Sequence, residues 1–576
     1  MVEMFGEGVC GMSLLSSARN FWRRVRTEGV RSIPGMVHTR WMTLVHRNRL
    51  RQEAAERAAQ EEAYQAFIAR HTQPEETPFT TALTLSFLIP TWNTDPTLLN
   101  ALADSLISQS CPRWEACLYD GASTHADTRD ALQALGKRDP RFRVVMGTEN
   151  GGISGNTNAA FAFAAGDVIA LCDHDDLLAP DAVRCILQAA EEGADFIYTD
   201  EDKVSADGTR FFGPHLKPDF SPDALRSGNY ICHITAMTRQ LAEALVQRDG
   251  SLLRCQFDGS QDHDLALRAT ELAARVAHIP RILYHWRMLD TSFSHQRAEK
   301  CALAACAAVT QQLTRLGIPS KASVERLRTR IFYPVPETSV TAIVWGKGRI
   351  PKLPRQVQVI RADSPAALND AARQAKGEYL LFLAGGLTPM NAGLLREFSM
   401  YASWDRGWLN ELLMYAQRPD VGCVGSAILD RRRFYLHAGY AVDVPGGAVS
   451  HHAGQWYYGH PYEVTDRIVR NVTGVSSALL LIRREVFLAL GGFGDYASDL
   501  RGADLGLKCL RAGLVNVYTP HARMIEGTRN SEFERFPAED VRRFRDAWGE
   551  HPQERYYSPL FTRDGRMTID FTQEER

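Results

Sequence analysis

The feature that most constrains this chain is a series of short, unbroken apolar runs between residues 83 and 198, each stopped by a polar cluster. Residues 83–90, 114–119, 142–146, 168–172 and 196–198 read as strands, and residues 95–108 have helical spacing. Runs without polar alternation suit strands covered on both faces, as in a mostly parallel α/β sheet. Such sheets bind ligands beyond the carboxyl ends of their strands. Those ends carry residues 91–93, Asp120, residues 173–176 and residues 200–202.

Among these clusters Asp173-His174-Asp175-Asp176 offers the most definite chemistry. Carboxylates two residues apart, directly after a buried strand, suit one divalent cation held against a diphosphate. Hard oxygen ligands favour Mg²⁺ or Mn²⁺. A cation there acts as a Lewis acid on a departing phosphate group. The plainer alternative is a solvated loop in which Asp176 caps a helix starting near Ala179-Pro180. Placement after VIALC, downstream of three similar strands, favours the metal.

The motifs IPTWN, DGAS, ENGGISGNTNAAFAFAAGD, DHDD, YTDEDK, HLKPDFSPD, GSQDHDLALR and HIPRILYHWR follow in order between residues 83 and 317. In that order they resemble the family 2 glycosyltransferases of GT-A fold, in the rhamnosyltransferase-like branch that assembles O-antigen and exopolysaccharide. The resemblance implies inverting transfer from a UDP- or dTDP-sugar to a glycan or lipid-linked acceptor. It assigns Thr91 and Asp120 to the nucleotide, with Asn93, Asn158, Asp173 and Arg287 completing the donor site. Asp173, Asp175 and His285 would hold Mg²⁺ or Mn²⁺, and Asp262 would take the acceptor proton. Asp200, Glu201 and Asp202 either order an acceptor loop or face solvent, and residues 211–223, with three prolines, read as a structured loop rather than a helix and as a candidate acceptor wall. Two departures stand out: Gln261-Asp262 replaces the family's Glu-Asp, and Asp120-Gly121-Ala122-Ser123 lacks the second carboxylate of DDxS. The bland alternatives are Asp262 as cap of a helix over 264–274 and His285 as a satisfied core histidine.

Later segments echo the first. Asn158-Ala159-Ala160 and Gly166-Asp167 return as Asn369-Asp370-Ala371 and Gly377-Glu378, before the strand Leu380-Leu381-Phe382-Leu383. Where the acidic run should follow stands Ala384-Gly385-Gly386. Asp264-Leu265-Ala266-Leu267-Arg268 returns as Asp504-Leu505-Gly506-Leu507-Lys508, which sets Gly502 opposite Asp262. The expectation is an α/β chain with a basic helical arm (1–80), a GT-A domain (81–335) and a degenerate GT-A-like domain (336–576). The second domain would have lost the chemistry. His451, His452 and His460, in a glycine-rich stretch, are either metal ligands or ordinary surface histidines, the latter being commoner.

The arm mixes arginines with Phe21, Trp22 and Trp41, then runs into an alanine- and glutamate-rich helix over 51–70. It reads either as a peripheral contact with an anionic membrane surface or as a helix packed on the protein. A net charge of -2 argues against nucleic acid as partner. The 11 cysteines include no CxxC pair, so no zinc site is expected, and a reducing cytoplasm fits. No apolar run reaches the roughly 18 residues of a membrane span, and no leader is recognised. The expected location is therefore the cytoplasm, with the arm able to reach the inner membrane. A non-catalytic glycan-binding scaffold is the alternative from another class.

Overall fold

The computed structural model describes residues 47–75, 77–289, 298–335, 337–390, 404–459, 462–527 and 536–571. The arm's residues 1–46 and His460 lie outside them. Two compact units are distinguished, and the larger, Glu61–Pro389 with Trp408–Arg576, holds both of the molecule's main sheets. Among the described residues no helix is long and apolar enough to cross a membrane.

The first sheet contains β1 (Leu85–Thr91), β2 (Trp114–Asp120), β3 (Phe142–Met146), β4 (Val168–Leu171), β5 (Leu177–Leu178), β6 (Phe196–Val204), β7 (Phe211–His215), β8 (Thr235–Thr238) and β9 (Val276–Arg287). Its order is β3-β2-β1-β4-β8-β6-β9-β5, with β7 on β6. Strands β3, β2, β1 and β4 run parallel; β8 then runs antiparallel between β4 and β6. Every residue of β1 is buried, as expected for a strand covered on both faces. Burying Phe87 and Ile89 completely contributes about 1.5–3 kcal/mol each before entropy is counted. Asp95 starts the helix Pro96–Ile107 by accepting the Thr97 N–H at 2.8 Å, with proline in the first turn.

A hairpin, β10 (Lys321–Glu325) and β11 (Arg328–Phe332), leads to the second sheet. That sheet contains β12 (Val340–Trp345), β13 (Gln358–Arg361), β14 (Tyr379–Ala384), β15 (Leu387–Pro389), β16 (Val421–Leu429) and β17 (Tyr435–His437). After the small pair β18 (Tyr440–Ala441) and β19 (Val449–Ser450), it adds β20 (Arg470–Val472), β21 (Leu479–Arg483) and β22 (Val515–Glu526). Its order is β13-β12-β14-β21-β16-β22-β15, with β17 on β16.

Strand for strand this repeats β2-β1-β4-β8-β6-β9-β5 with β7 on β6. The directions repeat too: β12 is parallel to β13 and β14, β21 antiparallel to β14 and β16, and β22 parallel to β16. Strand β3 has no counterpart among the described residues, and β20, paired with β22, has none in the first sheet. The faint sequence echo therefore coincides with a repeat of the seven-strand path and its side strand.

One expectation needs correction. Residues 211–223 are not a loop throughout: Phe211–His215 pairs with β6, and a helix starts at Pro222. The two halves share a core. Tyr64, Leu216 and Ile282 pack with Ala441, Tyr557 and Phe561 in one buried cluster. The helix Arg47–His71, somewhat longer than expected, supplies Tyr64 and Phe67 to it.

Candidate active site

The acidic run forms a turn beyond β4 that β9 clamps from the side. Asp176 is completely buried; Tyr284 Oη donates to its Oδ2 and the Arg287 N–H to its Oδ1, both at 2.6 Å. Arg287 Nε donates to the Asp175 carbonyl at 2.6 Å and Nη1 to that of Ala206 at 3.0 Å. The Asp173 N–H donates to Tyr284 Oη at 3.2 Å. Asp176 thus secures the turn rather than capping a helix; the helix Ala182–Glu191 begins after Asp181. Burial pushes the Asp176 carboxyl well above its usual range, and the charges of Asp175 and Asp173 add to the rise.

Asp173, with 37% of its side chain exposed, projects from this turn, its Oδ2 3.9 Å from His233 Nε2. Desolvation raises the Asp173 carboxyl, His233 opposes the rise, and the carboxylates of Asp175 and Asp262 add to it. Asp262 is thereby within electrostatic reach of Asp173. It sits in the first turn of the helix Gln261–Leu272, whose cap position is Ser260, and accepts from Asn229 Nδ2 at 2.8 Å. His233 stacks on Tyr284 with ring centroids 4.9 Å apart. Its backbone N–H donates to Glu201 at 2.7 Å, while buried Lys217 Nζ donates to the carbonyls of Ile231 and His233 at 2.5 Å.

One ligand atom each from Asp173, Asp176 and His233 fall within 4.8 Å of one another, a set able to hold a metal ion. The expected set was Asp173, Asp175 and His285. Residues alternate faces along a strand, so Tyr284 faces the acidic turn while His285 points away, its Nδ1 2.5 Å from Asp202 Oδ1. Asp175, whose Oδ1 is 3.8 Å from His174 Nδ1, stands beside the set, its side chain 24% exposed. The oxygen-rich site with one imidazole fits Mg²⁺ or Mn²⁺. His233 was missed because NYICHIT carries no spacing that links it to the acidic run; only the chain's return through β8 brings it there.

The nucleotide-side residues lie at the ends of β1 and β2, where Thr91 and Asp120 are register partners. Thr91 Oγ1 donates to Asp120 Oδ1 at 3.4 Å, and Asp120 also receives the N–H and hydroxyl of Ser123 at 2.8 and 2.5 Å. Asn93 accepts the backbone N–H groups of Thr124 and His125 at 2.8 and 3.1 Å, joining the two loops. Trp92, not singled out by motif, is 52% exposed on this platform. The missing DDxS carboxylate has a steric reason: a Cβ on Gly121 would lie 2.3 Å from Asn156 Nδ2.

Other expected residues are tied to partners of their own. Asn158 exchanges hydrogen bonds of 2.8 and 2.9 Å with the Leu253 backbone. Asp200 is fully buried, 2.8 Å from both the Lys217 N–H and His278 Nε2. Asp202, equally buried, receives the Tyr64 hydroxyl at 2.6 Å besides meeting His285. Burial removes both from any acceptor surface.

In the second half, backbone lies close against the corresponding glycines. A Cβ on Gly502 would lie 2.4 Å from the Val475 carbonyl oxygen, and one on Gly385 2.7 Å from that of Lys347. His451 and His452, far from being surface residues, are buried.

Residues 86–245 match the family model described as glycosyl transferase family 2. An uncharacterized protein of Sinorhizobium fredii, y4gI, is 33% identical over 76% of this chain and 52% of its own length. The O-antigen biosynthesis protein RfbC of Myxococcus xanthus is 31% identical over 77% of this chain and 37% of its own. Neither half of the chain alone supplies such coverage, so the likeness reaches both sheets. The chain spans only about half or less of these relatives' length. A partial structural likeness, TM-score 0.33 at 16% identity, links 40% of this chain to 66% of S. aureus TarS 1-349 in complex with UDP-GlcNAc.

Proposed function

Residues 86–245 form a glycosyl transferase family 2 domain, and on that premise we propose that the chain moves a sugar from a nucleotide-sugar donor to a glycan or lipid-linked acceptor. The product is a bacterial surface polysaccharide, a reading supported by the O-antigen role named for its Myxococcus relative. The observation that supports it is the approach of His233 to Asp173 from a segment 60 residues further along the chain, with Asp262 bonded to Asn229 of that same segment.

In this reading Thr91, Asn93 and Asp120 shape the floor for the nucleoside, and exposed Trp92 offers a face for the base. Asp173, Asp176 and His233, with Asp175 beside them, would hold Mg²⁺ or Mn²⁺. Such a cation would supply charge neutralisation for the departing nucleoside diphosphate. Asp262 takes the proton of the acceptor hydroxyl as that oxygen bonds the anomeric carbon, the bond to the diphosphate oxygen breaking on the opposite side. Asn229 keeps one Asp262 oxygen occupied and so orients the other.

The test is nucleoside diphosphate release with Mn²⁺ and a panel of UDP-, GDP- and dTDP-sugars plus a lipid-linked glycan acceptor. Wild type should respond to one donor, and Asp262→Asn should lose about 10²–10⁴-fold. No release from any donor, or equal release by the variant, rejects the reading.

A further inference from the structure

The motif HLKPDFSPD, residues 215–223, lies between the active site and the second half of the chain and bonds to both. On the site side, Lys217 Nζ holds the carbonyls of Ile231 and His233 at 2.5 Å and Glu201 at 3.3 Å. On the other, the Leu216 N–H donates to Tyr462 Oη at 2.5 Å and the Asp219 N–H to the Arg555 carbonyl at 2.7 Å.

The contact tightens at Asp223, which is buried and receives both Arg418 Nη groups and, at 2.8 Å, Asn471 Nδ2. Asn471 also accepts the Asp223 N–H at 3.1 Å and the Ser221 hydroxyl at 3.0 Å. Asp223 opens the short helix Pro222–Ser227, whose Leu225 carbonyl is 2.7 Å from His263 Nε2, next to Asp262. Two residues beyond that helix is Asn229, the partner of Asp262, and then His233. Lys217, the Leu225 carbonyl and Asn229, which bond at or beside His233 and Asp262, thus belong to or directly follow a segment anchored in the second half, while Glu201 and Tyr284 hold His233 from the first sheet.

We propose that the second half positions the active site, with Asp223, Arg418 and Asn471 as its positioning residues. This rests on the transferase reading above and gives the repeat that lacks the acidic run a role: it braces the half that carries it. A buried ion pair with further hydrogen bonds on Asp223 defines one geometry, and small displacements of a base or ligand cost catalysis steeply.

The experiment compares full-length wild type, Arg418→Gln, Arg418→Lys and Asn471→Ala. Hydrogen exchange is read at residues 229–235, with β1 and β2 as internal reference. Exchange at 229–235 should quicken about tenfold in Arg418→Gln and Asn471→Ala without change at the reference strands. At saturating Mn²⁺ and acceptor, kcat should fall about tenfold or more while donor KM stays within about twofold, and Arg418→Lys should recover part of both effects. Should Asn471→Ala fail to fold, Ser221→Ala, which removes one hydroxyl, serves the same comparison. Wild-type exchange at 229–235 in the variants, or quickened exchange with unchanged kcat, overturns the proposal. Absence of nucleoside diphosphate release by wild type counts against the transferase reading, and the exchange comparison then decides the brace by itself.

Discussion

His285 Nδ1 lies 2.5 Å from Asp202 Oδ1, on the face of β9 opposite the one from which Tyr284 bonds Asp176. The histidine of the YHWR motif therefore belongs to a buried network completed by Tyr64, and the imidazole beside Asp173 comes from His233. Replacing each should separate the roles. His233→Ala should weaken Mn²⁺ binding about 10–100-fold by titration calorimetry. His285→Ala should leave that affinity within about threefold and lower unfolding free energy by about 2–3 kcal/mol, because Asp202 loses a partner in the interior. The reverse pattern would return His285 to the metal site.

Gly121 stands where the family motif has a carboxylate, against Asn156. Gly121→Asp should not improve donor binding. It should raise donor KM and cost about 1–3 kcal/mol by overpacking the turn. A lower KM for the variant would contradict this account.

Restoring carboxylates to the second half should fail for a similar reason. With Ala384→Asp, Gly386→Asp and Gly502→Asp combined, the new Cβ at 502 would lie 2.4 Å from the Val475 carbonyl oxygen. Measured against an Asp262→Asn background, the triple variant should show no added turnover and a lower Tm. Recovery of nucleoside diphosphate release would mean that the second site is open.

Three histidines in the second half are buried neutral. Burial, joined by Arg470, pushes His437 down to about 3 and His451 well below the usual range. Burial likewise takes His452 down to about 4. Their unfolded pKa is about 6.5, so between about pH 4 and 6.5 the unfolded chain binds more protons and stability falls on acidification. Each histidine contributes a slope of about 1.4 kcal/mol per pH unit there. Glu554, raised to about 7 by burial despite three hydrogen bonds, opposes one of them between its ordinary value and 7, and the raised carboxyls of Asp173 and Asp176 oppose them further. The histidines' share is therefore read by difference: His437→Gln should lessen the fall of the urea midpoint from about pH 6.5 to 5 relative to wild type. An unchanged pH profile in that variant would show this imidazole to be hydrated.

Local pattern alone was enough for the strands and for the acidic turn. Continuous apolar runs placed β1 to β4 within two residues of their observed ends, because a strand buried on both faces has no polar alternation to obscure it. The echo of Asp264-Leu265-Ala266-Leu267-Arg268 in Asp504-Leu505-Gly506-Leu507-Lys508 announced a repeat that the second sheet carries out strand for strand. Asp173 was singled out by its place directly after an apolar strand, whereas Asp262 was named only through the family resemblance. What tertiary structure alone decided was which side chains meet across elements. Alternation along β9 turned His285 inward. The return through β8 delivered His233 from 60 residues beyond Asp173. Buried partners drew Asp200 and Asp202 out of reach, and residues 215–223, a family-like motif with no role legible in its spacing, became the seam between the halves. Those outcomes depend on facing and distance between segments far apart in the chain, which local spacing does not encode.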